Sequence, residues 1–342
     1  MPEPVVSIIT PSFNRGGIIT ETAESIFAQT YPHWEWVIVD DGSTDDSWNN
    51  LELFAKIDTR VKIFKRDREP KGACTCRNIA IQKCTGQYLL FLDTDDLLAS
   101  FCLQQRVAAA QQNPACDFVI FPMLLFKNKP DDLNLLWNTD RNESELARVL
   151  RSDPICQGTG TLWKKSSFTN MGMWKEGLAV WQDVELHIRS LLGGMQYCKK
   201  MNLPPDVFLR ISDQSMSRTG YDSIIKVRSR VAVFEFALNN ILNKKMDDAE
   251  WQALKIMGFH LFTGAVKSAH FTEAKKLLKL CQANKMFEKN GYRIFKNYFL
   301  FRKYKGYKLP FAEQYFYGRV DSCIPKANQT VGKIKYKGAI AL

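Results

Sequence analysis

Four short strand-like runs, each followed by helical spacing and the first, second and fourth ending in a polar cluster, constrain this chain more than any other feature. Residues 5–10 are apolar and β-branched and run into Pro11-Ser12-Phe13-Asn14-Arg15-Gly16-Gly17. Residues 34–39 end in Asp40-Asp41-Gly42-Ser43-Thr44-Asp45, residues 61–65 form a third run, and residues 87–92 end in Asp93-Thr94-Asp95-Asp96. Between them, residues 18–29, 45–57 and 72–83 carry helical signals, the second capped by Ser43 or Thr44, and 99–112 follows as a further helix. Runs without polar alternation are strands buried on both faces, and their alternation with helices predicts a parallel, doubly wound sheet. In such sheets ligands gather at the carboxyl ends of the strands. No G-x-G-x-x-G follows the first run and no G-x-x-x-x-G-K-[ST] occurs, which disfavours dinucleotide and P-loop chemistry.

Asp93, Asp95 and Asp96 leave the fourth run within four residues of one another. Carboxylates that close repel unless a cation lies between them, and a hard divalent ion shared with a ligand's phosphates is the simplest partner. Read alone, the cluster is also compatible with the acid-rich first turn of a helix, as Asp40 to Ser43 alone is with a plain turn.

Further along, residues 117–126 read as one more strand and 158–163 as a turn into another. Trp181-Gln182-Asp183 opens a helix ending at Gly193-Gly194. From about 221 the spacing turns helical, over 222–243, 248–270 and 272–287. Residues 292–308 mix aromatics with Arg and Lys, which suits either a packed helix with a solvated face or membrane contact. Charge divides at the same place. Residues 1–220 hold 24 Lys and Arg against 27 Asp and Glu, net −3; residues 221–342 hold 23 against 9, net +14. Such a basic half should meet an anionic partner, such as a membrane surface, a phosphorylated acceptor or nucleic acid.

The nine scattered cysteines lack paired metal-ligand spacing and read as reduced thiols. His33, His187, His260 and His270 pair with no acids at metal spacing and read as structural or surface residues, and Glu185 as a helix-face residue. No apolar run is long enough to span a bilayer, and the N-terminus has no secretory pattern, so the expected setting is the cytoplasm.

The set Val6-Ser7-Ile8-Ile9-Thr10-Pro11-Ser12-Phe13-Asn14-Arg15, Val37-Ile38-Val39-Asp40-Asp41-Gly42-Ser43-Thr44-Asp45, Arg77-Asn78-Ile79-Ala80 and Phe91-Leu92-Asp93-Thr94-Asp95-Asp96 resembles a family 2 glycosyltransferase. The resemblance implies a GT-A fold, a Rossmann-like α/β nucleotide-diphospho-sugar transferase domain over 1–220, with a helical C-terminal region over 221–342. It implies inverting transfer from a nucleotide-diphosphate sugar, UDP-sugar first, assisted by Mg2+ or Mn2+. The acceptor would be a glycan or a lipid-linked glycan. The +14 charge of the basic region then predicts docking on an anionic membrane at the cytoplasmic face, ahead of nucleic acid. Pro11 and Phe13 match the loop touching the base, and Phe13 lacks the hydroxyl of relatives with Tyr. Asp41 matches the acid facing the base, with Asp40 as fallback, and Arg77 an arginine near base and phosphates. Asp93 and Asp95 form a DxD motif, Asp93 towards the ribose and Asp95 on the metal, with Asp96 the other candidate ligand. Asp183 matches the general base, with Gln182 where the family has Glu. Arg210 with Ser215-Met216-Ser217 resembles the segment that closes the domain and approaches the diphosphate. The competing readings are a nucleotidyltransferase, which would need a Gly-rich phosphate loop with another spacing, and a non-catalytic nucleotide-sugar or nucleic-acid binding protein.

Overall fold

The computed structural model describes residues 3–212, 220, 222–241, 246–326, 334–338 and 340. Its first half alternates as the apolar runs demand: β1 (Val6–Ser12), α1 (Ile19–Phe27), β2 (Trp34–Asp40), α2 (Ser47–Ile57), β3 (Val61–Lys65), α3 (Ala73–Lys83) and β4 (Tyr88–Phe91). Then come β5 (Leu97–Leu98), α4 (Cys102–Gln112), β6 (Phe118–Ile120), β7 (Met123–Phe126), β8 (Leu135–Leu136), α5 (Glu145–Leu150), β9 (Thr161–Lys164), α6 (Lys165–Asn170), α7 (Gln182–Leu192), β10 (Tyr197–Lys199) and β11 (Val207–Arg210).

Seven strands form one sheet in the order β10-β6-β9-β4-β1-β2-β3. β3, β2, β1 and β4 are parallel, so their carboxyl ends share one edge. The sheet is mixed, because β9 runs antiparallel to both β4 and β6. The expected single strand over 117–126 is two strands in two sheets: β6 stays in the large one, and β7 joins a second sheet ordered β5-β11-β7-β8. Pro122 sits between them; lacking an N–H, proline interrupts a ladder. The expected cap of α2 also differs. The helix starts at Ser47 without a side-chain cap, because Ser43 donates its hydroxyl to Asp40 instead.

The helices α8 (Ile224–Ile241), α9 (Asp248–Lys267), α10 (Phe271–Ala283), α11 (Gly291–Lys303) and α12 (Ala312–Asp321) follow. A capping box of Asp247 and Glu250 starts α9. Their apolar cluster, with Phe234, Phe259, Phe262 and Phe295, takes in Leu150 of α5 and Ile188 of α7. The helical region is thus built onto the element that carries Asp183. Residues 292–308 divide by depth: Phe295, Tyr298 and Phe299 are buried, whereas Tyr304 and Tyr307 are exposed. The chain returns near its end to the small sheet, where Lys335 bridges Leu135. No described helix is long and apolar enough to cross a membrane. All nine cysteines are free thiols.

Candidate active site

At the shared carboxyl edge a cleft of about 580 Å³ is lined by Pro11, Phe13, Asp41, Arg77, Asp93 and Asp95, with Asp183 on its wall. These positions lie as much as 172 residues apart along the chain, and the topology brings them together at strand ends and helix starts.

β1 ends beside β2, and the Asp41 N–H donates to the Ser12 carbonyl at 2.7 Å. This turns the Asp41 carboxylate into the cleft, where Oδ1 accepts from Arg66 Nε at 2.6 Å and from the Gly72 N–H at 3.3 Å. Asp40 has a different task. Its Oδ2 accepts from the Gly42 and Ser43 N–H groups, closing its own turn. The fallback position is therefore buried in backbone bonding and is not on the cleft wall. Phe13 is partly exposed, with the Lys71 ammonium 3.8 Å from its ring centroid.

Arg77, on α3, is buried beneath the cleft floor. Its Nη2 donates to Asp93 Oδ1 at 2.6 Å, its Nη1 to Gln182 Oε1 at 3.1 Å, and its guanidinium lies 4.7 Å from the Trp174 ring centroid. Trp174 is held in place by Asn78, which accepts from its N–H and donates to its carbonyl. Gln182 thus meets Arg77 through a neutral amide and adds no negative charge beside Asp183.

The acids after β4 separate in direction. Burial pushes the Asp95 carboxyl up, Asp93 adds repulsion, and Arg15 and Arg210 oppose it. Asp96 is buried and pushed well above its ordinary value by burial and then by Asp95 and Asp93. Its Oδ1 accepts from the Arg210 N–H at 3.0 Å, and it is absent from the cleft wall. Arg210 itself donates to Glu21 at 2.6 Å and to the Asp95 carbonyl at 3.0 Å, bracing the acidic loop. Ser215, Met216 and Ser217 lie outside the described residues.

Asp183 stands at the second position of α7. Trp181, just before the helix, has φ +63°, a left-handed backbone rare for a bulky residue and common at functional sites. Asp183 Oδ1 accepts from the Gly158 N–H at 3.2 Å. A Cβ at Gly158 would lie 3.2 Å from that oxygen and 3.3 Å from Trp174, so this close approach uses the glycine. Burial pushes the Asp183 carboxyl up to about 6, with Arg77 pulling it down and Asp93 raising it. The His187 ring donates from Nδ1 to the Asp183 carbonyl at 2.8 Å, and burial holds its pKa down at about 4, so the ring is neutral at pH 7. Glu185 pairs with Arg189 at 2.8 Å, as a helix-face residue would.

Trp174, Gly158, Arg66 and His187 are parts of the site that motif reasoning passed over. Only His187 had a local signal, four residues after Asp183 on one helix face.

Among the described residues no three His, Cys, Asp or Glu side chains converge as a cage for a metal ion. That fits Mg2+ or Mn2+, which take one or two carboxylates and complete their shell with water and substrate phosphates. Asp95, desolvated and repelled by Asp93, lines the cleft together with it, so both carboxylates are available to such an ion.

Residues 7–172 match the model of the family described as glycosyl transferase family 2. TuaG of Bacillus subtilis (strain 168) is 44% identical over 94 residues, 28% of this chain and 37% of that protein. The UDP-Glc:alpha-D-GlcNAc-diphosphoundecaprenol beta-1,3-glucosyltransferase WfgD of Escherichia coli is 33% identical over 113 residues, 33% of this chain and 44% of that protein. The match thus spans less than half the length of either relative. The crystal structure of S. aureus TarS 1-349 in complex with UDP superposes over 92% of this chain and 91% of that one, at 17% identity and a TM-score of 0.64. The chain shares that GT-A, Rossmann-like α/β fold.

Proposed function

Because residues 7–172 match the model of glycosyl transferase family 2, we propose that this protein is an inverting glycosyltransferase of cell-surface polysaccharide biosynthesis. It moves a sugar from a nucleotide-diphosphate donor, a UDP-sugar before others, to a hydroxyl of a glycan or lipid-linked acceptor. The complex of TarS with UDP supports the donor class, and the diphosphoundecaprenol acceptor of WfgD supports the acceptor class. We read residues 1–220 as the transfer domain and 221–342 as a helical region built onto it. The surplus of cations in that region goes with a peripheral position at the inner face of the cell membrane.

The observation that carries this reading is a carboxyl with a pKa near 6, Asp183, on the wall of a cleft that Asp93 and Asp95 also line. A base so placed is deprotonated at pH 7, yet basic enough to take a hydroxyl proton. Asp183 removes that proton as the acceptor oxygen attacks the anomeric carbon from the face opposite the leaving diphosphate, which inverts the configuration. Pro11 and Phe13 flank the base, and Asp41, held by Arg66, accepts from it. Arg77 offers a planar cation towards the phosphates, and Asp93 faces the ribose. Asp95, with Asp93, would hold Mg2+ or Mn2+, which neutralises charge on the departing diphosphate. Asp96 serves the fold of the loop rather than the metal.

The test is an acceptor-dependent UDP-release assay on the wild type and Asp183→Asn. Transfer should fall by about a hundredfold or more, the range for losing a general base, while UDP binding by calorimetry is retained. Transfer by the variant at the wild-type rate would refute the base assignment; UDP binding without release by the wild type would favour a non-catalytic binder.

A further inference from the structure

The helical region carries a surface that the transfer reaction does not explain. Between the end of α11 and the middle of α12, six large side chains crowd one stretch in solvent: Tyr304, Tyr307, Leu309, Pro310, Phe311 and Tyr315. Phe311 is 88% exposed and Leu309 64%. Elsewhere among the described residues, exposed large apolar side chains are fewer at any one place, such as Ile225 alone and the pair Leu53 and Ile57 one turn apart on α2, which needs no explanation. A contiguous cluster does.

The cluster is not a poorly packed core. Behind it, Phe301 stacks on Phe316 with centroids 4.3 Å apart, and Tyr298 is buried with its hydroxyl on Glu313. The outward residues are held out by the backbone as well. Phe311 sits at φ +62° and Lys305 at φ +60°, left-handed conformations that bulky residues avoid. Strain of this kind, holding a phenyl ring in water, points to a partner that receives the ring.

Charge narrows the partner. Lys303, Lys305, Lys308 and Arg319 are exposed on the same stretch. The one acid between 302 and 319 is Glu313, and it is spent inward on Arg302 at 3.3 Å and on Tyr298. Apolar and aromatic tips interleaved with outward cations suit the boundary of an anionic bilayer, where rings enter the headgroup level and lysines meet lipid phosphates.

The face also leads to the cleft. A hollow of about 510 Å³ beside Leu309 and Phe311 shares Lys267 and Tyr317 with a second of about 410 Å³. That one shares Ser152, Trp181 and Arg230 with the cleft holding Asp183. Neighbouring hollows thus lie in series between the exposed rings and the cleft that holds Asp183.

We propose that residues 304–319 form a membrane-docking face that inserts Phe311 and Leu309 into an anionic lipid surface and turns the run of hollows towards it. The orientation rests on the proposed transfer reaction; the docking itself does not.

The experiment is flotation of the full chain with vesicles of phosphatidylglycerol and phosphatidylcholine, against vesicles of phosphatidylcholine alone. The wild type should float with the anionic vesicles at low salt and much less at high salt. Leu309→Ser with Phe311→Ser should lower vesicle affinity at least tenfold, and Lys305→Gln with Lys308→Gln about fivefold per cation removed. Both variants should keep wild-type UDP binding, which shows that they fold. A wild type that stays at the bottom of the gradient, or serine variants that float like it, overturns the proposal. So does a dimer, seen by light scattering without flotation, that the serine variant dissolves, because the face would then serve a second copy. Flotation without UDP binding would leave the docking face standing and sink the proposed transfer reaction instead.

Discussion

Arg77 donates to Asp93 at 2.6 Å from beneath the cleft, and the same guanidinium reaches Gln182 beside Asp183. One buried cation therefore sits between the acid expected at the ribose and the acid expected to be the base. Replacing it with an uncharged side chain should act on both. In Arg77→Met, Asp183 loses the charge that pulls its pKa down, so the acidic limb of kcat/KM should move to higher pH. Donor affinity should fall as well, because the phosphates lose a cation. A limb that stays in place would show that Arg77 does not act on Asp183.

The wild-type pH profile follows from Asp183 being pushed up to about 6. A general base works deprotonated, so with Asp183 in the proposed role kcat/KM should rise about tenfold per pH unit below 6 and level off above it. Stability runs the other way. The folded pKa is raised, so the folded state holds this proton more tightly. The group's destabilising effect is present above pH 6 and relieved as pH falls towards the unfolded value of 3.8. Rate measurements from pH 5 to 8 check the first part; Asp183→Asn should remove that limb from whatever activity remains.

Asp95 and Asp96 should separate in metal dependence. Asp95→Asn should raise the Mn2+ concentration needed for half-maximal activity by tenfold or more. Asp96→Asn should leave it within about twofold, because that carboxyl is buried, with its pKa raised by desolvation, and accepts from the Arg210 N–H rather than facing the cleft. Metal titration after chelation measures both. A larger effect at Asp96 would return it to the metal.

Asp41→Ala should weaken UDP binding by about 1.5–3 kcal/mol, the range for a hydrogen bond to a charged group. Arg66→Ala should weaken it less, since Arg66 only aims the carboxylate. Calorimetry reads both, and equal losses would mean that Arg66 itself meets the ligand.

The turn at Gly158 beside Asp183 has a separate support. Arg106 and Asp206 form an ion pair with both side chains fully buried, at 2.7 Å. Arg106 also donates to the Thr159 carbonyl at 2.8 Å, next to the Gly158 that bonds Asp183. Asp206→Ala leaves a buried charge alone and should destabilise by about 3–5 kcal/mol in urea unfolding. Arg106→Met with Asp206→Leu should recover much of that loss, since no charge remains buried.

Local pattern was enough for much of this molecule. Each of the first four apolar runs is a strand because it is short, apolar and followed by a turn, and each polar cluster falls at the strand's end. The parallel order then places Pro11, Phe13, Asp41 and Asp93 on one edge whatever follows later in the chain. The helical spacing beyond 221 likewise survives as α8 to α11. These properties depend on neighbours within a few residues, and periodicity records such neighbours.

Direction and partnership were decided elsewhere. Asp95 faces the cleft and Asp96 does not because a backbone N–H of β11, 114 residues away, takes the Asp96 carboxylate. Asp40 is spent on its turn while Asp41 is aimed by Arg66. Residues 117–126 part into two sheets at Pro122, and the aromatics of 292–308 part into core and surface according to what packs over them. The basicity of Asp183 is set by burial and by Arg77, 106 residues upstream. Sequence alone determined which residues reach the sheet edge, because strand and turn formation are local. Only the tertiary structure decided what each carboxylate meets there, because desolvation and hydrogen bonding come from groups that the fold brings in from far along the chain.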